Sequence, residues 1–167
     1  MTTEPAPITT IGVVSDTHHP ECGALPPSLL TGLENVDVIF HLGDFCNLQT
    51  YKEFQKIAPV VAVYGNMDNP ELKALLPEKK TLEIQGYTLG LIHGWGPPKK
   101  LEERVVQKIK DADIILFGHS HIPLFTQIND VWVFNPGSPT MNMVGAGTYG
   151  LLRLGENTLE HEIIRLA

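Results

Sequence analysis

Apolar, β-branched runs in this chain end again and again on a short polar motif, and the order of runs and motifs leaves few folds open. Asp16-Thr17-His18 follows the run Ile8 to Ser15, Gly43-Asp44 follows Val36 to Leu42, and Gly65-Asn66 follows Val60 to Tyr64. His93-Gly94 follows Thr88 to Ile92, and Gly118-His119-Ser120-His121 follows Ile114 to Phe117. Short apolar runs of this kind read as buried strands. Between the first three lie stretches with helical character, Pro26 to Leu33, with prolines near its start, and Leu48 to Ile57. A β-α-β-α-β order is the signature of a parallel sheet with crossover helices. In such a sheet the loops at the carboxyl ends of the strands converge on one crevice, so the polar motifs are expected to meet.

The second half reads differently. Thr81 to Ile84 and Thr88 to Ile92 flank Gln85-Gly86-Tyr87, Leu124 to Ile128 and Val131 to Phe134 flank Asn129-Asp130, and Tyr149 to Leu154 and Leu159 to Ile164 flank Gly155-Glu156-Asn157. Each is a hairpin pattern. Lys99 to Lys110 is the clearest helix, with Leu101, Val105, Val106 and Ile109 on one face. A parallel half followed by an antiparallel half predicts two sheets face to face, with helices outside. At 167 residues the chain fits one domain, spanning 1–167.

Composition narrows the partners. The net charge of −7 argues against a nucleic-acid or anionic-membrane surface. A phosphorylated substrate stays open, because bound cations reverse the local field. No apolar run is long enough to cross a membrane, and Met1 to Thr10 lacks the basic and apolar regions of a signal peptide. Cys22 and Cys46 are the two cysteines and lack C-x-x-C spacing, so a free buried thiol at Cys46 and a reduced, cytoplasmic setting are expected.

The five motifs supply two Asp, one Asn and four His: Asp16, His18, Asp44, Asn66, His93, His119 and His121. That donor set suits two divalent ions held close together. Asp16 and His18 are two apart, and so are His119 and His121; in an extended segment such residues point to one side. The Asp44 carboxylate can bridge two ions, and Asn66 offers an uncharged oxygen. Mixed N/O ligation without thiolate favours Mn²⁺, with Fe, Zn²⁺, Co²⁺ or Ni²⁺ as alternatives, over Ca²⁺. Two ions about 3.5–4 Å apart neutralise phosphate oxygens and hold a bridging hydroxide in line for attack. No Ser or Cys nucleophile is then needed.

These motifs, in this order, resemble the calcineurin-like metallophosphoesterase superfamily. The small size and Asn135-Pro136-Gly137-Ser138 resemble its compact prokaryotic phosphodiesterase branch. The resemblance implies a four-layer α/β/β/α sandwich of two mixed sheets flanked by helices. It implies a dinuclear phosphoesterase, more a phosphodiesterase than a monoesterase, acting on a small phosphoester with a metal-bridging hydroxide as nucleophile. It assigns one ion to Asp16, His18, Asp44 and His121 and the other to Asp44, Asn66, His93 and His119, with Asp44, Asn66 and His93 at the catalytic step. An alternative on the same fold is a protein-interaction scaffold like a retromer subunit. The resemblance is silent on self-association, and a homo-oligomer is compatible with it.

Two positions depart from the family pattern. Many members follow Gly-Asn with a His that assists the leaving group, whereas Met67 stands here, followed by Asp68. Relatives often carry a second His after His-Gly, whereas this chain has Trp95. His41 is read as a packing or orienting residue, His161 as a surface residue, and Met141, Met143 and Val144 as a wall of the pocket or a packing patch. His19 is read as a loop cap or as part of that pocket.

Overall fold

The computed structural model describes residues 4–18, 24–141 and 145–167. The first sheet starts with β1 (Thr9–Val14), β2 (Val38–His41) and β3 (Val60–Ala62), which run parallel. The helices α1 (Pro27–Gly32) and α2 (Leu48–Gln55) make the two crossovers. Asn47 caps α2 by accepting from the Thr50 amide, which satisfies one of the donors a helix start leaves free. A third helix, α3 (Pro70–Leu75), leaves β3. It begins on Asn69, whose side chain accepts from the Leu72 amide, with Pro70 in the first turn; the sequence reading passed over this start signal.

The second sheet contains β4 (Lys79–Ile84), β5 (Tyr87–Ile92), β6 (Ile114–Leu116), β7 (Leu124–Ile128) and β8 (Val131–Asn135), with α4 (Leu101–Lys108) crossing from β5 to β6. Its order is β4-β5-β6-β8-β7. The inner strands β5, β6 and β8 are parallel and the edge strands antiparallel. The hairpin β9 (Thr148–Gly155) and β10 (Thr158–Arg165) does not complete this sheet. β9 pairs antiparallel with β1, giving the first sheet the order β10-β9-β1-β2-β3. Both sheets are mixed, as the resemblance implied, and the antiparallel hairpins of the second half are divided between them. The reason lies in β9, whose residues are nearly all buried. A strand buried on both faces belongs inside a sheet, and the flank of β1 is where it fits.

Three apolar clusters hold the layers. Ile11, Val13, Phe40 and Leu42 meet Leu89, Leu91, Ile114 and Phe134 between the sheets. Leu29, Leu33, Phe54 and Leu72 bring α1–α3 onto the outer face of the first sheet. Leu101, Val105 and Ile109 seat α4 on the second. This is the α/β/β/α sandwich. Among the described residues no helix is long and apolar enough to cross a membrane.

One expectation about a single side chain changes, and another gains detail. Cys46 is disulfide-bonded, so the free thiol and the redox argument built on it are corrected; spacing along the chain did not reveal that the fold brings Cys46 to a partner. His161 is exposed, but its ring stacks on Phe125 with centroids 3.5 Å apart, so it closes the gap between the edge strands β10 and β7. His19, Cys22, Met143 and Val144 lie outside the described residues.

Candidate metal centre

Strands β1, β2 and β3 of one sheet and β5 and β6 of the other all end at the same crevice, and their loops are stitched together. The Asp16 amide donates to Gly43 O at 3.0 Å, His18 N to Asp44 O at 3.1 Å, and Gly118 N to His93 O at 3.0 Å. The approach is close enough that only glycine fits at two points. A Cβ on Gly118 would collide with Ser15 Oγ, and one on Gly65 with the Asp44 carboxylate. Asp16, Asp44, His119 and His121 all have positive φ, between 55° and 72°. Non-glycine residues rarely adopt that conformation, and it gathers at functional sites where surrounding structure enforces it.

Two groups emerge whose ligand atoms lie within 4.8 Å of one another: Asp16, His18 and His121, and Asp16, Asp44 and His93. His18 Nε2 and His121 Nε2 are 3.3 Å apart. Asp44 Oδ2 is 3.2 Å from His93 Nε2 and 3.7 Å from His18 Nε2, so it stands between the two groups. Asn66 Oδ1 is 3.1 Å from His93 Nε2. The His119 ring lies edge-on to His93, with centroids 5.2 Å apart, and its Nε2 donates to Gly96 O at 2.9 Å. A carbonyl can only accept, so Nδ1 is left as the nitrogen with a free lone pair. All seven residues read from the sequence thus border one crevice; His119 stands at its edge and joins neither group.

The electrostatics are those of a site built for cations. Asp16 is fully buried; one oxygen, Oδ2, accepts from Ser15 Oγ at 2.7 Å and His119 N at 2.9 Å. The other, Oδ1, is buried with no hydrogen-bond partner, yet lies 3.2 Å from His121 Nε2, 3.8 Å from His93 Nε2 and 3.9 Å from His18 Nε2. A buried orphan acceptor is costly, and a cation at that point would satisfy it. Burial alone would raise the Asp16 carboxyl, but His93 and His121 hold it below its ordinary range. Burial would lower His93, yet Asp16 and Asp44 outweigh it and push the imidazole up to about 9. His121 is raised chiefly by the Asp16 carboxylate 3.2 Å from its Nε2.

The supporting layer is what the sequence reading mostly missed. Asp68 accepts from three backbone amides, Asp44 N at 2.9 Å, Phe45 N at 2.7 Å and Gly65 N at 2.8 Å. It clamps the Asp44 loop to the Asn66 loop. Asp68 is buried, its two oxygens are spent on these amides, and burial pushes its carboxyl up. His93 is aimed by Nδ1–H donating to Leu42 O at 2.7 Å, which leaves Nε2 toward the ligands. His41 is fully buried and uses both nitrogens, taking Gly43 N–H at 3.2 Å on Nδ1 and meeting Thr17 Oγ1 at 3.0 Å with Nε2. It is a packing and orienting residue, as expected. Asn135 and Ser138 brace the loops from below: Asn135 Nδ2 donates to Gly118 O at 3.0 Å, and Ser138 Oγ to Asp16 O at 2.6 Å. Met67 is 62% exposed and Trp95 43% exposed, at the rim.

A mixed two-sheet sandwich with carboxylates and imidazoles gathered at the strand ends defines a metal-dependent hydrolase class. The chain belongs to the calcineurin-like phosphoesterase superfamily, whose domain matches residues 10–157. It is 34% identical over 158 residues to a protein of Methanothermobacter thermautotrophicus named "Probable metallophosphoesterase", covering 93% of this chain and 91% of that one. It is 29% identical over 156 residues to a phosphodiesterase of Methanocaldococcus jannaschii, covering 85% and 91%. Vacuolar protein sorting 29 of Cryptosporidium parvum shares the fold, with a TM-score of 0.81 at 23% identity over 96% of this chain and 92% of that one. The family is one of divalent-metal-dependent phosphoester hydrolases, and the two ligand groups fit that chemistry.

Proposed function

We propose that this protein is a phosphodiesterase working with two divalent ions that share Asp44. The observation that carries this reading is the position of Asp16 Oδ1 and Asp44 Oδ2 among the Nε2 atoms of His18, His93 and His121, with Asp16 Oδ1 buried and without a hydrogen-bond partner. Asp16, His18 and His121 would hold one ion; His93, Asn66 and His119 would hold the other, His119 through Nδ1. The donor set of oxygen and imidazole nitrogen favours Mn²⁺. When bound, such a pair of ions supplies positive charge for the phosphate oxygens and acidifies an attacking water.

The chain's own residues do the rest. Asp44, clamped by Asp68, fixes the spacing between the two halves of the site. Asn66 and His93 line the crevice of about 200 Å³ next to Tyr64, Glu78 and Trp95, where the ester would lie. Nothing at position 67 donates a proton to the departing oxygen. Diester over monoester is supported by the Methanocaldococcus relative's name and by Glu78, whose charge disfavours a dianionic monoester. The scaffold reading shares the fold alone with the vacuolar sorting protein, and the filled ligand set favours catalysis.

The test combines anomalous scattering from crystals grown with Mn²⁺ and hydrolysis of aryl phosphodiesters and monoesters by Mn²⁺-loaded protein. Two ions sharing Asp44 and preferential diester cleavage are expected. A single ion without Asp44, or no hydrolysis of either substrate by the loaded protein, would refute the proposal.

A further inference from the structure

The loop between β5 and α4 carries no ligand beyond His93, yet it is held with unusual thoroughness. Arg104, on the first turns of α4, donates from Nη1 to Lys99 O at 2.8 Å, from Nη2 to Trp95 O at 2.9 Å, and from Nη2 to Pro97 O as well. Its Nε is buried without a partner, so the guanidinium is inserted against the loop rather than extended into water. The one carbonyl that Arg104 leaves alone between Trp95 and Pro97 is that of Gly96. Gly96 O takes the Nε2–H of His119. The guanidinium lies over Gly96, where a Cβ would sit at contact distance, 3.5 Å, from Arg104 Nη2, and Gly96 itself has φ +78°.

We propose that Arg104 is a positioning residue which, through the Gly96 carbonyl, fixes the tautomer and orientation of His119 and thereby the affinity of the ion His119 holds. The inference rests on the proposed ligand role of His119. The physical argument is one of constraint. A neutral imidazole distributes its proton between two nitrogens, and a fixed acceptor at one of them selects the other for ligation. Gly96 sits in a Gly-Trp-Gly-Pro-Pro stretch with two glycines free to change φ, so its carbonyl stays in place only if its neighbours are tied. Arg104 ties those on both sides, with a planar fork that lysine cannot reproduce. Leu101 N and Arg104 N at that helix start donate to Pro98 O and Lys100 O, while the guanidinium itself donates to the loop carbonyls on either side of Gly96.

The experiment uses the full chain with Arg104→Met, which keeps the aliphatic stem and removes the donors. Imidazole ¹⁵N shifts of the metal-free protein report the His119 tautomer, assigned with His119→Ala. Calorimetric titration with Mn²⁺ reports the two sites. In the wild type His119 is a single Nε2–H tautomer. In Arg104→Met the shifts move toward a mixture, and one Mn²⁺ site weakens by about 10–100-fold, the range for residues that orient a ligand, while the other site holds. Arg104→Lys, able to reach fewer of the carbonyls, falls between, and carries the test if the Met variant does not fold. An unchanged tautomer together with unchanged Mn²⁺ binding in a folded variant overturns the positioning role and leaves the metal reading standing. Mn²⁺ binding that His119→Ala does not alter overturns the ligand role of His119, and the inference with it.

Discussion

His41 offers a prediction whose size follows from its surroundings. It is fully buried at the end of β2, with its ring stacked on Phe45 at 3.5 Å between centroids. Burial drives its pKa down to about 3, whereas an unfolded imidazole titrates near 6.5. Between those values the unfolded chain binds a proton that the folded one refuses, so stability is present above about pH 6.5 and is lost as pH falls. The slope is about 1.4 kcal/mol per pH unit, and the full window is worth about 5 kcal/mol. His41→Phe keeps the ring over Phe45 and abolishes this titration. It also leaves the buried Gly43 N–H without its acceptor, at a cost of about 1–3 kcal/mol. The variant is therefore expected to be about 2 kcal/mol less stable than wild type at pH 7.5, to match it near pH 5, and to exceed it below. Urea unfolding followed by tryptophan fluorescence between pH 7.5 and 4.5, with chelator in both samples, measures the gap. The other titrating groups are common to the two proteins and cancel. A gap that stays constant across the range would refute the reasoning.

Asp44→Asn removes the charge proposed to be shared and should cut Mn²⁺-dependent turnover by more than the ~100-fold upper bound for outer-shell changes, with an unchanged urea midpoint; turnover within tenfold of wild type would remove Asp44 from the bridging role. Asp68→Ala orphans three buried amides at about 1–3 kcal/mol each, and thermal unfolding of the metal-free protein should show a loss of at least about 3 kcal/mol; a loss under about 1 kcal/mol would mean that other contacts hold the Asp44 loop. Met67 cannot donate a proton, and general acid help is worth roughly 10²–10⁴-fold, so rates across a series of aryl and alkyl phosphodiesters should fall steeply with leaving-group pKa; a flat series with chemistry rate-limiting would reveal an acid.

What the sequence determined is what local pattern can carry. Each strand leading to the crevice is a short apolar run closed by a polar motif, so both the element and the polar residue at its end were legible at Asp16, Asp44, Asn66, His93 and His119. The ligand types limited the chemistry, and the spacing of Leu101, Val105 and Ile109 gave the buried face of α4. Two local signals were present but unread: the Asn69-Pro70 helix start, and the near-continuous apolar run of β9 that marks an inner strand.

The tertiary structure alone decided the rest, because it depends on which distant segments share a boundary. The β9–β10 hairpin joins the first sheet because β1 had an open flank and β9 had two faces to bury. Asp68 clamps three amides from two loops, and no spacing along the chain announces a carboxylate spent on backbone. The left-handed φ of Asp16, Asp44, His119 and His121 follows from packing five loops into one crevice. The same holds for Asp16 Oδ1, which is an ordinary aspartate oxygen in the sequence and becomes a buried acceptor without a hydrogen-bond partner only when two sheets close over it.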